Sequence, residues 1–117
     1  MSEDVLAEFD QPRRLKLSLK AAKALSRSCE GHGLLHVNQK LMEFDIDTLE
    51  RVMWASMLED EPNLTLSLTV KRVEAYWERE KTLAPLFLLA ARAIEASGLF
   101  SQPAEESSGK TAAVQAT

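Results

Sequence analysis

Between positions 86 and 96 only Arg92 and Glu95 carry charge, so the segment from Thr82 to Gly98 is apolar nearly all round. A helix without a polar face has to be covered on several sides. The chain has 117 residues, enough for one core and not for two. The segment is therefore either the central helix of a small bundle or partly an interface between copies. Its ends support a helix over 82–97. Thr82 offers a cap, Pro85 sits in the first turn where a missing N–H costs little, and Gly98 stands at the stop.

The other segments read as helices too. Four glycines and four prolines are few for a strand-rich chain. Leu15-Lys16-Leu17-Ser18-Leu19 alternates like a short strand at 14–19, yet it runs into Ala-rich sequence, and Leu15, Leu19, Ala22 and Leu25 share a helical face. A helix over 18–30, ended by Gly31 and Gly33, is the preferred reading. Leu34, Val37, Leu41 and Phe44 give a second stripe over 34–44. Asp47-Thr48-Leu49-Glu50 matches a capping box and opens a helix over 47–59. Its end carries Glu59, Asp60 and Glu61, which oppose the helix dipole and should fray it. Leu64-Thr65-Leu66-Ser67-Leu68 repeats the alternation of 15–19, so a ribbon between the two is one option. The alternative is a helix over 66–80 with Leu66, Val70, Val73 and Trp77 as its buried seam, and the absence of a turn signal favours it. The expected architecture is mostly α: a bundle of about five helices over 14–100, a flexible lead at 1–13 and a disordered, Ser/Ala/Glu-rich tail at 101–117.

Composition removes several function classes. A net charge of -4 and a pI near 5.2 argue against a nucleic-acid surface. The longest apolar run is interrupted by Pro85 and Arg92, so no membrane span is expected. The acidic start lacks the layout of a signal peptide, and the single Cys29 suits a reducing compartment, which places the chain in the cytoplasm. Cys29-x2-His32-x3-His36 has ligand types at zinc-like spacing but lacks a fourth ligand, so no metal or cofactor is expected. Cys29 and His32 are loop neighbours rather than an assembled dyad, and the acids at helix ends have a simpler role in capping. No enzyme is expected.

What remains is contact with other proteins. Trp54 lies off the Leu49–Met53–Met57 face beside Leu58, the setting of an exposed aromatic anchor with methionine neighbours. The residues expected to carry contact are Trp54, Met57, Leu58, Trp77, Leu86, Leu89 and Ala93. The competing reading packs these stripes against each other as core. Because so apolar a last helix is hard to bury in so small a body, self-association is also expected.

One family fits this order of features. Arg14-Leu15-Lys16-Leu17-Ser18-Leu19 leads into Ala-rich helix. Asp45-Ile46-Asp47-Thr48-Leu49-Glu50-Arg51-Val52-Met53-Trp54-Ala55 follows, then the break Asp60-Glu61-Pro62-Asn63-Leu64-Thr65. Ala90-x-x-Ala93-Ile94-Glu95-Ala96-Ser97-Gly98-Leu99-Phe100 closes it. Together these resemble the tail assembly chaperones of long-tailed bacteriophages and gene transfer agents. The resemblance implies a non-enzymatic helical protein of the host cytoplasm, absent from the finished virion. It would bind the tape measure protein and help recruit tail tube subunits. The alternative from another class is a small phage or bacterial regulator, an inhibitor or antitoxin-like adaptor, that blocks one protein target.

Overall fold

A computed structural model describes residues 5–99. In chain order it holds strands β1 (Val5–Glu8) and β2 (Pro12–Leu15), then helices α1 (Leu19–Ser28), α2 (Leu34–Met42), α3 (Ile46–Met57), α4 (Leu66–Glu80) and α5 (Ala84–Ala96). The mostly helical fold and its five helices agree with the sequence pattern. The tail expected to be disordered at 101–117 lies outside the described residues.

The expected lead-in is different. Residues 5–15 form an antiparallel hairpin with Val5 opposite Leu15 and Ala7 opposite Arg13. The two-residue period of a strand explains its packing: Ala7 and Phe9 point inward and are buried, while Leu6 and Glu8 face out. Leu15 and Leu17 continue the inward set, and the Lys16 amide donates to the Ser56 carbonyl at 2.9 Å. The strand that pairs with residues 5–8 is Pro12–Leu15; of the Leu-alternating run 15–19 only Leu15 belongs to it, and the optional ribbon with 64–68 does not form. Ser18 then accepts from the Ala21 amide and opens α1, leaving Leu19 exposed and Ala21, Ala22 and Leu25 buried.

An ion-pair network ties the hairpin to the helices. Arg13 forks onto Asp10 at 2.6 and 2.7 Å and reaches Glu61 at 2.9 Å. Arg72 of α4 meets both Glu61 oxygens at 2.9 Å. Arg14 pairs with Asp60, and Arg79 donates to the Phe9 carbonyl at 2.8 Å while stacking over Tyr76. The helix expected over 47–59 ends at Met57, before these acids. Arginines from distant segments pair with Asp60 and Glu61, which no local charge pattern announces.

The central helix is α3, not α5. It packs on α1, α2, α4, α5 and β2. Leu49, Val52, Met53, Ala55, Ser56 and Met57 are all buried, so its C-terminal half is covered on nearly every side. Its cap is Asp45, whose carboxylate accepts from the Thr48 amide at 3.0 Å and from the Thr48 hydroxyl. The expected capping box at Asp47 is displaced by two residues, because Thr48 stands three after Asp45 and bonds it twice. Glu50 caps nothing; burial, with Asp47 and Glu74 nearby, holds its carboxyl above the usual range.

Ser56 carries an unbalanced group. Its side chain is buried and the hydroxyl has no hydrogen-bond partner among the described residues. A buried polar group left unpaired costs roughly 1–3 kcal/mol. Ser56→Ala should therefore raise stability by about 1 kcal/mol in denaturant unfolding. A lower midpoint at unchanged slope would contradict this.

Helix α4 is capped by Thr65, whose side chain accepts from the Leu68 amide, and is followed by Lys81 in the left-handed conformation. Its seam is Thr69, Val73 and Tyr76, not the expected row ending at Trp77. Helix α5 has Pro85 in its first turn, as expected, and Gly98 at φ +73 just past its end. The expected cap Thr82 accepts from the Ala84 amide at 3.2 Å, while Leu83 holds the N-cap position itself. Helix α5 packs on α3, α2 and β1. These neighbours leave an exposed stripe along Leu88, Arg92 and Glu95.

Candidate protein-binding surface

The expected contact residues divide sharply. Met57, Leu86 and Ala93 lie in the core with 2% or less of their surface exposed, so they hold the fold and face no partner. The helix that hides Met57 is the central one, and Leu86 and Ala93 lie on the inward side of α5. Trp54 is partly buried, and its indole N–H donates to the Leu64 carbonyl at 2.9 Å. It staples α3 to the loop before α4 instead of standing out as an anchor. Leu58 and Leu89 are partly buried against the core. Only Trp77 is openly presented, at 47% exposure on the outer side of α4.

A different set of apolar side chains lines a surface groove. Asn38 and Met42 from α2 and Leu88, Ala91, Arg92 and Glu95 from α5 surround it, with Ile94 also reaching its lining. Met42 is 69% exposed and Leu88 55%. Both line the same depression, which joins their apolar surface in one candidate contact site. Phe44, just past the end of α2, sets its ring edge-on at 5.3 Å from Phe87 in the first turn of α5. Phe44 is held at φ +60 and its ring is exposed.

The sequence carried half of this signal. Leu35, Asn38 and Met42 recur at three and four residues on α2, a second stripe beside the buried Val37 and Leu41. Reading Leu34, Val37, Leu41 and Phe44 as one stripe hid it. On α5 no such reading was available, because a helix apolar on all sides does not show which side faces out.

The groove holds one positive and one negative side chain, Arg92 and Glu95, and neither forms an ion pair among the described residues. The surface is therefore mixed, apolar at Met42 and Leu88 and without net charge.

The Cys29–His32–His36 motif forms a separate, polar cleft with Asp45, Asp47 and Arg51 around it. The two imidazole rings stack at 4.2 Å between centroids. Among the described residues no group of three His, Cys, Asp or Glu side chains is placed to hold a metal ion. Burial pushes the Cys29 thiol up, against the lowered value that a nucleophilic thiolate requires. Arg51, the nearest cation, spends its guanidinium on the Ser28 and Asp47 carbonyls at 3.0 and 3.2 Å. None of the described helices is long and apolar enough to cross a membrane.

Comparison with protein-family models, with curated proteins and with solved structures finds no match to this chain.

Proposed function

We propose that this protein is an assembly chaperone of phage tails, which holds an apolar helical segment of a tape measure protein in the host cytoplasm and helps recruit tail tube subunits. The observation that carries the reading is the α2–α5 groove, where the exposed Met42 and Leu88 line one depression between two helices. An amphipathic helix lays its apolar face into such a groove through anchors three and four residues apart. Methionine and leucine suit a client of loosely specified sequence, because flexible side chains repack around different partners. The sequence resemblance names the client; the groove supplies a place for it. The chemistry asked of the chain is burial and release, with no bond made or broken.

Co-expression with tape measure fragments encoded by the same genome, followed by pull-down, tests this directly. Capture is expected, and Leu88→Asp should reduce it by at least about tenfold, the effect of placing a charge at the centre of an apolar contact. Failure to capture any fragment, with tight binding to a different host protein, would replace the chaperone by a regulator of a single target.

A further inference from the structure

We propose that a second copy of this chain covers the α2–α5 groove when no client does, the two copies pairing α5 against α5 about a two-fold axis so that Arg92 of one protomer meets Glu95 of its partner. A two-fold interface must complement itself, since the same patch is presented from both sides. The groove wall meets that condition in its charges. Arg92 and Glu95 lie three residues apart, one cation and one anion, exposed and without an ion pair among the described residues. A surface built for an oppositely charged partner would carry one sign; this one carries both, in the order that an antiparallel copy reverses.

The register follows from that pairing. With Arg92 opposite Glu95, Glu95 lies opposite Arg92 on the other side of the axis. Leu88 of each copy falls at the Leu99 end of the other, and both are exposed in the single chain. Each charge pair closes over apolar surface contributed by Leu88 and Met42. Two ion pairs per dimer, partly removed from water, fix the register and orientation more than they add affinity.

The pairing goes beyond the proposed function and stands without it, since it is tested on the protein alone. It adds regulation to that function: a client entering the groove has to displace the second copy.

The experiment is sedimentation equilibrium of the full chain at low salt, from micromolar to millimolar concentration. The unmodified protein should dimerise reversibly. Arg92→Glu and Glu95→Arg should each weaken dimerisation about tenfold or more, because like charges then face one another twice. The double variant Arg92→Glu/Glu95→Arg should return to within about threefold of the unmodified protein, the coupling expected of two groups in contact. Both side chains are exposed, so the helical circular dichroism of all three variants should be unchanged. A protein that stays monomeric throughout would overturn the proposal. So would single reversals without effect, or a double variant as weak as the singles. A dimer that captures no tape measure fragment keeps the pairing and removes the chaperone reading; capture by a strict monomer does the reverse.

Discussion

Glu61→Gln should destabilise the protein by about 2 kcal/mol and lower its melting temperature by roughly 10 °C, although Glu61 lies in a surface loop. Glu61 receives two hydrogen bonds from Arg72 and one from Arg13, each at 2.9 Å. Both arginine side chains are only 14% exposed and that of Glu61 is 28% exposed, so water replaces little of what is lost. Removing one member of a fully buried pair costs about 3–5 kcal/mol, and the residual exposure brings the expectation below that range. Glu59→Gln is the control, an exposed acid two positions away with no ion pair among the described residues. It should change stability by less than about 0.5 kcal/mol. Equal effects from the two substitutions would show that the network contributes nothing.

The same network sets the response to acid. The Arg72 guanidinium holds Glu61 below the ordinary carboxylate range, and Arg13 does the same for Asp10. Hydrogen bonds from Thr48 lower Asp45 as well. A group whose folded pKa is depressed contributes stability that is complete above its unfolded value, near 4, and is lost as pH falls through the folded one. Stability should therefore be flat near neutral pH and fall below about pH 4. Glu50 acts in the opposite sense, since burial raises it and its protonation favours the folded form. Glu61→Gln should flatten the acid limb, and an unchanged slope there would remove Glu61 from its cause.

The helices were legible because each carries its own local signal. The range 66–80 was readable from periodicity, and its observed bounds are Leu66–Glu80. The last helix was framed by Pro85 and Gly98. The hairpin was not legible. Val5-x-Ala7-x-Phe9 alternates, but over five residues with one large side chain, and its hold on the body comes from arginines paired with acids 46 and 48 positions away. Local pattern cannot show a contact of that span. It also made α5 look central, because composition reports how apolar a helix is and not how many neighbours surround it. Helix α3, with Arg51 and Glu50 in its sequence, is the more deeply covered of the two.

That limit has a direct experimental form in two leucines two positions apart on α5. Leu86 is fully buried, whereas Leu88 is 55% exposed in the groove. Leu86→Asp places a carboxylate among apolar side chains of the core, where no partner is available to it, and also removes a large side chain from close packing. Loss of such a side chain costs about 2–5 kcal/mol before any charge is counted. A domain of this size has about 5–15 kcal/mol in total, and desolvating the carboxylate or forcing it to protonate takes several more. Leu86→Asp should therefore unfold the protein or leave it a marginal, expanded state with weak near-ultraviolet dichroism. Leu88→Asp should keep the wild-type melting temperature to within a few degrees and alter only association and client capture. If both variants unfold, Leu88 belongs to the core and the groove is not a surface. If neither does, α5 does not pack as the structure has it. The two outcomes separate burial from contact on a helix whose sequence offers no polar face to tell them apart.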